Sequence, residues 1–335
     1  MLQQGATPAK SPALKVLLSL VRLGIGIGLL VYLARTGIVD LRALSKLATA
    51  WPITLAAVTL LILDVFLVSL RLCWLFRPQG LHLSLQMSFQ LTLVGFFFAT
   101  FAPGAAGGDI ARLFYATRQN SGRQAEIVTV VILDRLIGLF SMLLLPLLFA
   151  PMFPQLIVSV PILRYLLLTV ALLAVCLLAG FLVCLWNQSI LNLLRRKAFG
   201  FSKWRSLAVR GLETIRTFRH SPGTLVSALG ASMLANLLLI GVTALGMLVV
   251  NPSGLELKMC IVVPMGYIAN SLPLTPGGLG VGETAFNALF DITGLHGGAD
   301  ALLCWRIWSA FVGILGLILY LRGLRFSIVK AAEDQ

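Results

Sequence analysis

Apolar runs of about 20 residues recur along this chain, and a run of that length reads as a helix crossing a bilayer. Six of them cover roughly 13–33, 52–72, 125–149, 165–186, 223–250 and 299–320. Two more, 84–103 and 257–275, lead straight into breaks rich in glycine and proline. The first break runs from Pro103 through Gly107 and Gly108 to Asp109; the second runs from Thr275 through Pro276, Gly277 and Gly278 to Glu283. Glycine and proline unwind a helix, and unwound backbone at membrane depth needs protein or water beside it. A carboxylate there is costly unless it is partnered, so each break marks a polar site in an apolar body.

Mean hydropathy is +0.96. With 59% hydrophobic and only 11% charged residues, the chain is no ordinary soluble domain, for which about 25% charged is usual. It reads as an all-α polytopic membrane protein, one integral domain over residues 1–335. The first run contains Arg22 and lacks a small-x-small cleavage site, so it is expected to stay as a first helix. A net charge of +14, carried mostly between apolar runs, suits anionic headgroups rather than nucleic acid, since no soluble basic domain exists to bind the latter. Cys73, Cys176, Cys184, Cys260 and Cys304 lie in or beside apolar runs without C-x-x-C spacing, and His82, His220 and His296 are scattered. Neither set predicts a metal site, and no cofactor is expected.

Charge orients the spans. Segment 187–222 carries Arg195, Arg196, Lys197, Lys203, Arg205, Arg210, Arg216 and Arg219 against the single acid Glu213, which marks it as cytoplasmic or interfacial. Both tails are basic too. All three basic regions fall on one side if 84–119 and 257–291 are re-entrant hairpins entering from opposite faces. The loop 34–51, with Arg35, Arg42 and Lys46, then lies outside against the rule. The alternative of eight full spans puts both tails outside when 187–222 is inside. The hairpin arrangement makes 52–149 and 223–320 an inverted repeat, with both termini cytoplasmic.

The repeat is also visible in its charges. Asp109 is followed in the next span by Arg135, and Glu283 by Arg306. A helix that starts at a break turns unpaired N–H groups toward it, an anion site that nearby arginines strengthen for phosphate. Arg112 and Arg118 follow the first break; Arg135 and Arg306 sit roughly 15 and 10 Å inside their spans at 1.5 Å per residue. Each arginine either neutralises its acid or receives an anionic headgroup, and a pair that opens to a competing phosphate does both. Arg71 supplies a further contact or snorkels to the interface. Asp134 adjoins Arg135 but points about 100° away, toward a different partner. Asp64, in mid-span with no partner legible in the sequence alone, joins Asp134 as a candidate for proton coupling. Segment 187–222, with Trp186 and Trp204, is expected to include an interfacial helix.

The motif Gly107-Gly108-Asp109 with Arg112, then Ala125, Asp134, Arg135 and Gly138, followed by Pro273 to Glu283, resembles a flippase-like family. That family is named for the transmembrane region of lysylphosphatidylglycerol synthase. The resemblance covers about 15–325 and implies an inner-membrane protein that moves a phospholipid or lipid-linked precursor between leaflets. It implies anionic or polyprenyl-phosphate lipids as partners and, beside them, a separate lipid-modifying enzyme. Synthases of the family carry a soluble transferase domain after the membrane part; the sequence ends at Gln335, so the synthase reaction itself is not expected, and the makeup of the two breaks gives no expectation of another enzymatic activity. The competing readings are an integral membrane enzyme acting on a lipid phosphate and a small-anion transporter. Neither break contains Ser, His or Cys, and Thr275 is the only hydroxyl, which weighs against the enzyme.

Overall fold

The computed structural model describes residues 49–81, 83–101, 113, 116–117, 122–188, 202–251, 255–272, 278 and 280–322. Among them the protein is helical, with no strand. Ten helices follow in order: α1 Trp51–Phe76, α2 Leu85–Phe101, α3 Gln124–Phe149, the short α4 Pro154–Ser159, α5 Pro161–Trp186, α6 Ser202–Thr217, α7 Pro222–Val250, α8 Met259–Ser271, α9 Val281–Ile292 and α10 Gly298–Leu321. Five of them (α1, α3, α5, α7 and α10) are long and apolar enough to cross a membrane. The expected first span, 13–33, lies outside the described residues.

The two runs that lead into breaks form shorter helices. α2 has 17 residues and α8 has 13, roughly 26 and 20 Å at 1.5 Å per residue, less than a hydrocarbon core of about 30 Å. Proline opens α1, α5 and α7, where its missing N–H costs no helical bond. α5 buries a single stripe, Leu163, Leu167, Val170 and Ala174, at helical spacing, and exposes most of its remaining surface. That is the pattern of a peripheral helix facing lipid. α10 lies at the centre, with Trp308 fully buried in a core shared with α1, α2 and α7.

Contacts fix the directions of the spans. Arg71, in the last quarter of α1, bonds Asp134 and Ser232, each a little over a third of the way along α3 and α7. At the opposite end, the Trp308 indole N–H of α10 donates to Thr54 of α1 at 3.3 Å. A Cβ on Gly246, near the end of α7, would stand 3.0 Å from the Ala301 carbonyl at the start of α10. So α1 and α10 run one way, and α3 and α7 run the other. Among the helix pairs in contact, α1 meets α7, α2 meets α10, and α3 meets α8.

α6 supplies the helix expected within 187–222. Leu212 and Thr214 are buried, while Leu207 and Arg210 are exposed. It is pinned at one end of the bundle by the Gln79 side-chain amide, which donates to the Thr214 carbonyl at 2.9 Å. Phe218, just beyond its end, is fully buried among residues of α1, α3, α5 and α7.

Candidate functional site

α8 and α9 form a helical hairpin whose ends meet the end of α7 and the start of α10. Its tip is built around Gly278, at φ +70°, where a Cβ would stand 2.3 Å from the Asn270 carbonyl oxygen. Only glycine combines that backbone with that approach. Gly280, also at positive φ, precedes α9. Its N–H donates to Glu283 Oε2 at 2.8 Å, so the acid reaches back to cap its own helix. The carboxylate also sits in the first turn, where the helix dipole favours negative charge.

Arg306, one third of the way along α10, closes the tip. Its Nε stands 2.7 Å from Glu283 Oε1. Its Nη2 donates to Asn270 Oδ1 at 2.9 Å, the Gly278 carbonyl at 3.1 Å and Glu283 Oε2 at 3.3 Å. One guanidinium thus ties the last turn of α8, the break and the first turn of α9 to a spanning helix. The arginine side chain is 8% exposed and the glutamate 27%, which leaves the carboxylate edge of the pair accessible.

Behind the pair stands Tyr267 of α8, fully enclosed by aromatic and polar neighbours. Its hydroxyl lies 2.9 Å from Thr243 Oγ1 of α7, and its ring meets Phe286 and Trp305 edge to face. The polar centre draws on α7, α8, α9 and α10.

A second buried arginine lies toward the other end. Arg71 Nε and Nη2 donate to the two Asp134 oxygens at 2.6 and 2.8 Å, and Nη1 donates to Ser232 Oγ at 2.8 Å. The side chains are 6% and 1% exposed. Gly138, one turn beyond Asp134, leaves room for the guanidinium: a Cβ there would stand 3.1 Å from Arg71 Nη1. Asn236 of α7 donates to Ser141 of α3 at 2.7 Å, continuing the polar seam between those helices.

The pairing of Glu283 with Arg306 predicted from sequence is present, and Gly278 sits in its turn. Pro276 and Gly277 lie outside the described residues, as do Gly107, Gly108, Asp109, Arg112 and Arg118. Arg135 is exposed on α3, and its expected partner Asp109 falls in that undescribed stretch. Asp134 does turn to a different partner, and that partner is Arg71. The two expectations for Arg71, a contact at the phosphate site or snorkelling to the interface, are both corrected. It is buried because a bidentate carboxylate and a serine satisfy it between three helices. Asn270, Tyr267, Thr243 and Ser232 were not foreseen; a signal existed only at Asn270, the last strongly polar amide before the second break.

A family profile described as the lysylphosphatidylglycerol synthase TM region matches residues 16–319. The chain belongs to that family. The match is to the family's membrane module, and it gives this multi-pass protein a role connected with membrane lipids. No curated protein and no solved structure matches the chain significantly.

Proposed function

We propose that this family member translocates an anionic phospholipid, or a lipid-linked phosphate precursor, between leaflets without enzymatic turnover. The observation that carries the reading is the Arg306–Glu283 pair at the tip of the α8–α9 hairpin. A partly exposed carboxylate holds a guanidinium that a phosphate could take over, since arginine binds both groups in the same bidentate manner. Apolar helix faces around the tip leave acyl chains in lipid while the headgroup passes.

The α8–α9 hairpin enters and leaves from the outer face, and the half containing α2 mirrors it from the inner face. The opposed directions of α1 and α3 relative to α7 and α10 support this inverted repeat. So do the exchanged contacts, α2 with α10 and α8 with α3. In this reading Asp109, Arg112, Arg118 and Arg135 form the counterpart site with Gly107 and Gly108, and Pro276, Gly277 and Gly278 shape the tip. Asp64, half-buried in mid-span on α1, is the stronger candidate for proton coupling, because Asp134 is committed to Arg71. The protein sits in the cytoplasmic membrane with both termini inside, serving a separate lipid-modifying enzyme.

The test is leaflet exchange of fluorescent anionic, zwitterionic and polyprenyl-phosphate lipids in proteoliposomes, read with a membrane-impermeant quencher. Exchange above empty vesicles, strongest for anionic lipids and lost in Arg306→Gln, is the expected result. Equal exchange by the wild type and a correctly folded Arg306→Gln protein would remove the site from the mechanism. Anion uptake without lipid exchange would move the assignment to solute transport.

A further inference from the structure

Away from the hairpin, a cavity of about 660 Å³ opens between α3, α5 and α6. Ile132, Leu136, Leu177, Phe181, Leu207 and Leu212 give it an apolar wall. Its volume falls within the range of about 300–1,000 Å³ that ligand sites occupy. Gly180 helps to make the room, for nothing lies within 4 Å of where its Cβ would stand.

The shape of the cavity has a direction. Its α3 wall runs from Ala125 to Leu136, roughly 16 Å along the axis at 1.5 Å per residue. That depth is about half of a 30 Å hydrocarbon core, the thickness of one leaflet. On α5 the wall runs from Cys176 at the deep end to Cys184, close to α6. The end at α6 is also where positive charge collects. On the helix ends tied together there, Arg77, Arg123, Arg210, Arg216 and Arg219 outnumber two acids, Glu126 and Glu213. Arg123, Arg216 and Arg219 bond the carbonyls of Gln79, Asn187 and Leu185, whereas Arg77 and Arg210 are exposed.

An apolar slot one leaflet deep, with cations at its interfacial end, has the charge and length pattern of a single lipid. We infer that the cavity holds one acyl chain of an anionic glycerophospholipid in the leaflet on the side of α6, with its phosphate among the arginines of that end. This site is separate from Arg306, and it does not depend on the translocation reading.

The full chain in phosphatidylcholine nanodiscs, doped with phosphatidylglycerol carrying a photoreactive group near one acyl terminus, tests this. Illumination should label Leu136, Cys176 or Leu177, at the deep end. Excess unlabelled phosphatidylglycerol should suppress the label, and excess phosphatidylcholine should not. Gly180→Phe, which fills the cavity, should bring labelling to background; Arg210→Gln should weaken it by about fivefold, the effect of one basic group at an anionic lipid surface. Labelling spread evenly onto exposed α5 residues such as Leu168 and Leu172 would overturn the proposal, as would equal competition by both lipids. If Gly180→Phe does not fold, competition on the unaltered chain decides between these outcomes.

Discussion

Among the described residues two arginines, Arg71 and Arg306, lie buried inside this bundle, and they are held in different ways. Arg71 is sealed: both Asp134 oxygens and a serine take up its donors, and neither charged side chain is more than 6% exposed. Arg306 is shared among acceptors on a break in the chain, and its acid is 27% exposed. The first pair joins three long helices that have other reasons to stay together. The second joins a spanning helix to a hairpin tip whose own helices are short. A charge pair that only braces a fold gains from full enclosure, whereas one that exchanges partners has to keep an edge open. By that contrast the Arg71 pair is the brace and the Arg306 pair is the working site.

The contrast breaks most decisively at Asp134. Asp134→Ala leaves a buried cation without its carboxylate and should cost about 3–5 kcal/mol, seen as loss of monodisperse protein and a lower thermal midpoint in detergent. Replacing both partners, as Arg71→Met with Asp134→Leu, should recover most of that loss; no recovery would mean that the pair does more than brace. Next comes Gly278→Ala, which puts a side chain on a left-handed backbone and against the Asn270 carbonyl. It should destabilise by about 1–3 kcal/mol and reduce lipid exchange through displacement of the tip.

Glu283→Gln should cost less stability, about 1–2 kcal/mol, since the amide can still accept from Gly280 while the charge-assisted contacts weaken. Lipid exchange should nonetheless be abolished, so this variant separates activity from stability where Asp134→Ala cannot. A Glu283→Gln protein with normal exchange would erase the distinction between the two pairs. The smallest effect is expected for Tyr267→Phe. It removes one hydroxyl contact to Thr243, about 0.6 kcal/mol by the average for hydrogen bonds within membrane bundles, and is best read as a small shift in thermal midpoint.

Much of the bundle was legible because the bilayer limits what an apolar run can become. Five described spans fall where 20-residue runs lie, and the two runs ending in glycine and proline became the shorter α2 and α8. Glu283 and Arg306 could be matched because each is the rare charge in an apolar setting. Arg71 could not be matched in the same way. Its partner lies 63 residues away, and several acids and arginines satisfied the same local rules; only the packing of α1 against α3 selects Asp134. Tyr267 and Thr243 were hidden for a different reason. Single hydroxyls are common in membrane helices, and their meeting depends on the angle between α7 and α8, which no local pattern encodes.

The tip geometry also bears on how the protein is made. Glu283 is synthesised 23 residues before Arg306, so the hairpin emerges from the ribosome ahead of the charge that neutralises it. Until α10 arrives, the carboxylate has to remain near water. Insertion of α8 and α9 is therefore completed by the helix that follows them, and a nascent chain arrested before Arg306 should leave Glu283 accessible to aqueous reagents.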